Sequence, residues 1–101
     1  MMTRNIADAG YVLIIHEVED YLKWKSVFDA AQSIRREAGE TDYQLLRQDN
    51  NEQKIVHFSR WRSLHAARSF FESDELVRIR HEAGVMAPEF LYLEQIELGT
   101  L

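Results

Sequence analysis

The chain contains no cysteine, which excludes a disulfide framework, a thiolate metal site and a cysteine nucleophile. It has a single proline, Pro88, and only four glycines, so neither a collagen-like repeat nor a proline-rich linker is present. Long apolar runs are missing too. The longest, Tyr11 to Ile15, is about a quarter of the ~20 residues that a bilayer-spanning helix needs. Met1 to Asp8 carries Arg4 and Asp8 and no extended apolar core, so it is not expected to act as a signal peptide. Basic charge is scattered: Arg35–Arg36, Arg60–Arg62 and Arg78–Arg80 sit in a chain of net charge −5 and read as solvated faces. Nucleic-acid binding draws most of its affinity from clustered cations on phosphates. Neither a nucleic acid nor a membrane is therefore an expected partner, and a cytoplasmic location is expected.

What remains is globular material: 46% apolar and 29% charged over 101 residues, enough for one core and not two. Residues 1–9 are expected to be a flexible N-terminal segment and residues 10–101 a single domain. Tyr11 to Val18 is apolar on both alternating faces in its first half, as in a central strand covered on both sides. Asp20 can cap a helix. Beyond it Trp24, Val27, Phe28, Ala31, Ile34 and Ala38 share one helical face, and Gly39 supplies a stop. Thr41–Gln48 and Lys54–Trp61 read as a strand pair around a polar loop. Ser63 and Ser73 can cap two short helices that end at Phe71 and Gly84, with Leu64, Ala67, Phe70, Leu76, Ile79 and Ala83 inward. Pro88 then opens a last strand, Glu89–Leu98.

The order β-α-β-β-α-β predicts an α+β, ferredoxin-like domain: a four-stranded antiparallel sheet, order 4-1-3-2, with a broken second helix. Its helices cover one sheet face only. Yet the first strand is apolar on both faces, and the last offers Leu91 and Leu93 on one side against Phe90, Tyr92 and Ile96 on the other. A second copy covering the bare face, a homodimer through sheet faces, is the expected partner.

Histidine is the side chain suited to proton transfer near neutral pH. His16 shares the parity of Val12, Ile14 and Val18, and His57 that of Ile55, Ser59 and Trp61. On neighbouring strands, both imidazoles can meet under the helices as base and orienting partner. Arg80 flanks an inward stripe, where a guanidinium can pair with an anionic ligand. Trp24, Phe28, Trp61, Phe70 and Tyr92 can wall a cavity for a flat aromatic ligand, with Met86 closing one end. Packing alone also accounts for each of these residues. Two histidines without a third ligand make no metal site, and His65 lies off its helix's inward stripe.

The run His16-Glu17-Val18-Glu19-Asp20-Tyr21-Leu22-Lys23-Trp24, with Phe28-Asp29, resembles the opening of dimeric α/β-barrel proteins, the superfamily of the antibiotic biosynthesis monooxygenases. Ala67-Arg68-Ser69-Phe70-Phe71-Glu72-Ser73, Leu76 and Ala83-Gly84-Val85 are similar to that group's broken second helix. The likeness spans about residues 11 to 98. It implies a dimeric barrel with a ligand cavity between sheet and helices. It also implies oxidation of an electron-rich, polyketide-like substrate with no cofactor, neither metal nor flavin. Haem-degrading members place a tryptophan before the helix break and a histidine after it; here those positions fall on Phe70 and Arg80, and His81 points away. The resemblance is specific for fold and weaker for activity, so a non-catalytic dimeric module binding a small ligand is the alternative.

Overall fold

The computed structural model describes residues 9–101, with the backbone alone at 86 and 87. The expected flexible segment therefore falls, but for residue 9, outside the described residues, as does the side chain of Met86. Four strands form one antiparallel sheet: β1 (Gly10–Val18), β2 (Glu40–Arg47), β3 (Lys54–Trp61) and β4 (Val85–Leu93), in the order β2-β3-β1-β4. Between β1 and β2 lie helices α1 (Tyr21–Ala30) and α2 (Gln32–Ala38); between β3 and β4 lie α3 (Leu64–Phe71) and α4 (Asp74–Glu82). This is the predicted ferredoxin-like α+β fold with its second helix broken.

The capping chemistry read from sequence is in place. The side chains of Asp20, Ser63 and Ser73 accept from the backbone N–H groups of Lys23, Ala66 and Leu76. Each occupies one of the orphan donors that a helix N-terminus leaves. Gly39 and Gly84 end α2 and α4 at φ of 129° and 75°, a region that side chains with a Cβ disfavour.

The second strand is shifted by one residue, Glu40–Arg47 against the expected Thr41–Gln48, and two elements differ by more. The first helix does not run unbroken from Asp20 to Ala38: Ala31, at φ −89° and ψ 4°, separates α1 from α2. The guanidinium of Arg35 reaches back to the carbonyl of Phe28, a second donor to an acceptor that the Ala31 N–H also reaches at 3.3 Å. The last strand is Val85–Leu93 rather than Glu89–Leu98. Pro88 lies within it, at an irregularity where β1 advances from Ile15 to Glu17 while β4 retreats from Glu89 to Met86. A β-bulge on an edge strand is where the sheet tolerates a residue without N–H. Ile96 and Leu98 lie beyond the strand and are exposed.

Alternation along β1 and β3 sends Val12, Ile14, His16 and Val18, with Ile55, His57, Ser59 and Trp61, under the helices, where all are buried. One core cluster joins Val12, Ile14, Trp61, Ala67 and Phe71 near α3; a second joins Val18, Trp24, Phe28, Ile55 and Ala83 near α1 and α4. The opposite sheet face holds Tyr11, Leu13, Ile15, Val56, Phe58, Leu91 and Leu93, half-buried or exposed, with Tyr11 stacked on Phe58 at 5.6 Å.

Trp61 has no exposure at all and donates its indole N–H to Ser59 Oγ at 2.8 Å. Trp61→Ala is expected to remove about 3–5 kcal/mol of unfolding free energy through lost burial and a residual cavity, read as a lowered urea midpoint. Trp61→Phe is expected to keep much of that stability.

Candidate functional site

β1 and β3 are paired so that Ile14 faces His57 and His16 faces Ile55. Same-face neighbours two residues apart on adjacent strands lie diagonally within reach, so the register brings both imidazoles into one region under the helices. Their environments differ.

His16 is 5% exposed and, among the described residues, neither ring nitrogen has a hydrogen-bond partner. Trp24 packs on the ring at a centroid distance of 5.3 Å. Desolvation dominates and pushes its pKa down from 6.5 to about 3, with His57 and Arg80 adding repulsion. At neutral pH His16 is therefore an uncharged imidazole carrying one donor and one acceptor, both unused among the described residues.

His57 is buried too, but it is partnered. Its Nε2 lies 2.8 Å from Glu40 Oε2, and Glu40 Oε1 accepts from Arg35 Nε at 2.6 Å. Arg35 and Glu40 are buried with it, and the Arg35 guanidinium also lies 3.7 Å from the Phe28 ring centre. Phe28 in turn meets His57 edge-on at 5.0 Å. The sequence pattern does not point to this three-residue chain: Arg35 stands in a basic doublet that reads as a solvated face, and Glu40 belongs to no motif. One signal for it lies in the sequence. Trp24, Phe28, Ala31 and Arg35 recur at helical spacing, so Arg35 continues the inward stripe and needs an internal counter-charge, which Glu40 supplies just beyond Gly39.

Arg80 is half-buried on the last turn of α4. It donates through Nη1 to the Phe71 carbonyl at 3.1 Å, and its guanidinium lies 5.0 Å from the Phe90 ring centre. Burial lowers its pKa, with nearby Tyr92 acting the other way. His65 and His81 are exposed.

These groups border one cavity between sheet and helices. Of the residues singled out from sequence, His16, His57, Trp24, Phe28, Phe70 and Arg80 line it. Trp61 and Tyr92 do not: Trp61 is sealed in the α3 core, and Tyr92 stacks beside Phe90 under the guanidinium of Arg68. Ile14, Arg35, Leu76 and Ile79 complete much of the wall. The cavity measures about 60 Å³, well below the ~300–1,000 Å³ of a typical small-molecule site. Among the described residues no three His, Asp, Glu or Cys side chains gather in a metal-holding group, and no helix is long and apolar enough to cross a membrane.

An apolar wall with a neutral base, a carboxylate-anchored imidazole and a guanidinium can hold an acidic aromatic molecule, accept its proton and stabilise the anion. Comparison with known proteins agrees in architecture. The family model for antibiotic biosynthesis monooxygenase matches residues 22–82, more than half of the chain. No curated protein sequence matches. SnoaB, a cofactor-independent oxygenase from Streptomyces nogalater, superposes with a TM-score of 0.76 at 16% identity, covering 91% of this chain and 97% of that one. The ActVA-Orf6 monooxygenase of Streptomyces coelicolor, solved with nanaomycin D, gives 0.67 at 16% identity over 94% of each chain. A conserved protein from Methanosarcina mazei gives 0.62 at 15% identity, over 90% of this chain and 96% of that one. At such identities the likeness establishes the fold.

Folded His16 takes up a proton only near pH 3, whereas unfolded it does so near 6.5. Between those values the unfolded state binds the extra proton, so stability falls as pH drops, with a slope from this group of at most about 1.4 kcal/mol per pH unit. Above the upper value the group adds no slope. His16→Leu is expected to lose less stability than the parent on acidification from neutral pH. Thermal midpoints of both proteins across that range measure it; parallel curves would contradict the burial of an unpaired imidazole.

Proposed function

Because this chain belongs to the antibiotic biosynthesis monooxygenase family, we propose that it oxidises an aromatic, polyketide-like substrate with molecular oxygen, using neither metal nor flavin. One observation carries the reading: a buried histidine with both nitrogens unused, a second histidine and an arginine border the same aromatic-walled cavity. Unused polar atoms in a buried wall cost free energy unless something binds them. A phenolic substrate offers what His16 lacks, since its hydroxyl can both donate and accept.

The chemistry follows from those groups. The CH₂ of an anthrone, flanked by two aryl rings and conjugated through them to the ring carbonyl, loses a proton to an imidazole, and the electron pair of that C–H bond is delocalised onto the carbonyl oxygen as an enolate. Arg80, on the cavity wall, is the group proposed to stabilise that anion. One electron passes from the enolate to O₂, the radical pair joins as a peroxide, and the imidazolium returns its proton. The remaining C–H proton is then lost as the O–O bond breaks, the carbonyl forms and water leaves, so CH₂ and O₂ become C=O and H₂O. Protonating His16 in its desolvated site is costly, so it suits hydrogen bonding better, and His57 beside Glu40 suits the proton transfer.

The test is oxygen uptake with a dihydroxyanthrone above its uncatalysed rate. One O₂ consumed per anthraquinone formed is expected. General-base catalysis typically contributes 10²–10⁴-fold, and His57→Ala is expected to lose a kcat factor of that order; Arg80→Met is expected to lower kcat as well. The contracted cavity favours a second reading, a non-catalytic module for a small aromatic ligand. A raised thermal midpoint with dihydroxyanthrone and no oxygen uptake would select it. Either way a tricyclic ligand needs a larger space than about 60 Å³, and α4, with Leu76 as its buried residue, is the wall best able to give way.

We also assign the open sheet face to a second copy of this chain. Its half-buried and exposed apolar row matches the self-complementary patch that a two-fold dimer requires. Sedimentation is expected to give twice the monomer mass, and Phe58→Glu or Leu91→Glu to give monomers; a monomeric parent would refute this assignment. A cytoplasmic location accords with a chain without cysteine.

A further inference from the structure

The two histidines are not equivalent, and what separates them is Glu40. Its carboxylate sits on the first residue of β2, just after the positive-φ turn at Gly39. Arg35 occupies Oε1, and His57 Nε2 approaches Oε2. A carboxylate paired with a guanidinium can only accept, so the 2.8 Å contact requires that Nε2 carry the hydrogen. In a neutral imidazole the other nitrogen, Nδ1, is then the acceptor.

We infer that Glu40, held by Arg35, is the positioning residue of this cavity: it fixes His57 as the Nε2–H tautomer and so leaves Nδ1 as the proton acceptor for the ligand. The catalytic half of this rests on the monooxygenase reading; the tautomer does not. Charged and titratable groups reach His57 from every element around it. His16 comes from β1, Arg35 from α2, Glu40 and Tyr43 from β2, and Arg80 across the cavity from α4. Glu40 is the one among them within hydrogen-bond distance of the ring. The proton taken from substrate therefore creates an imidazolium already paired with a carboxylate, and the same proton goes back to the peroxide oxygen that departs as water. His16 has no such partner and serves as a hydrogen-bonding wall.

The assembly explains its third member as well. A carboxylate buried beside a neutral imidazole alone would lack a counter-charge, and removing one partner of a buried pair is destabilising. Arg35 supplies the charge, while its contacts with the Phe28 carbonyl and ring fix where the carboxylate can sit.

The experiment is nitrogen NMR of histidine-labelled protein, because the shifts of the two ring nitrogens report the tautomer without any substrate. With the ring in its uncharged form, the parent is expected to show His57 with Nε2 protonated and Nδ1 in the acceptor range. In Glu40→Gln the amide can donate as well as accept, so the preference should weaken or invert. The double variant Arg35→Gln/Glu40→Gln, which leaves no buried charge unpaired, guards against unfolding of the single one. A parent Nδ1–H tautomer, or a tautomer unchanged in both variants, overturns the assignment. With dihydroxyanthrone, Glu40→Gln is expected to lose about 10³–10⁴-fold in kcat, the scale seen when a histidine's carboxylate partner is neutralised. KM is expected to stay near the parent value, and Glu40→Asp to recover part of the rate. A shifted tautomer with unchanged kcat would overturn the catalytic half. If the parent consumes no oxygen, the monooxygenase reading fails, and the nitrogen shifts still decide what Glu40 does.

Discussion

The ion pair between Arg35 and Glu40 is the constraint on which the helix-covered side of the sheet depends. Both side chains are buried, and charges in such a place persist only when paired and hydrogen-bonded. Meeting that condition ties together four elements. Arg35 on α2 reaches the end of α1 through Phe28, and Glu40 at the start of β2 reaches β3 through His57. The break at Ala31 belongs to the same arrangement, since the guanidinium occupies a carbonyl where the ladder is interrupted. A hydrophobic isostere could fill this volume with comparable stability. What it could not do is orient an imidazole.

Around that fixed point the two histidines acquire opposite characters from the same strand register. His16 lies beside the bulge where β4 carries Pro88, packed on Trp24 and desolvated with no counter-ion. His57 lies on the central strand β3 with a carboxylate at its edge. Two groups of one type in unlike surroundings offer a basis for dividing roles in proton-transfer chemistry. Arg80 adds the positive charge an anion needs. It is held by one backbone carbonyl and a ring face, so part of its hydrogen-bonding capacity remains for a ligand.

Much of this was legible from residues alone, because local rules decided it. The caps at Asp20, Ser63 and Ser73, the stops at Gly39 and Gly84, the strand order and the inward parity of both histidines follow from spacing and side-chain chemistry. So does the outward direction of His81. The features that were missed depend on distance in space. Nothing local says that Arg35 turns inward until Glu40, across a turn, is there to receive it. The shortened last strand is similar: Ile96 and Leu98 have the alternation of a strand, but beyond Leu93 they have no described strand alongside them, and pattern without a pairing partner does not make a ladder. Trp61 and Tyr92 show the limit of reading aromatics, since inward parity places a ring under the helices without saying whether packing or a cavity receives it.

Cavity size follows from the same division between firm and weak packing. The β1, β3 and α1 walls are rigid: His57 is anchored by Glu40, and Trp24 and Phe28 stack at 5.0 Å. The α4 wall is built differently. Leu76 is its buried residue, Val77 is half-exposed, and Ile79 and Arg80 are only partly covered. Elements with few buried apolar contacts open at the least free-energy cost. Of the cavity walls, α4 is thus the one that could yield to a ligand at the least cost. The structure therefore combines a small cavity with a carboxylate-anchored imidazole on one side and a sparsely buried helix, carrying Arg80, on the other.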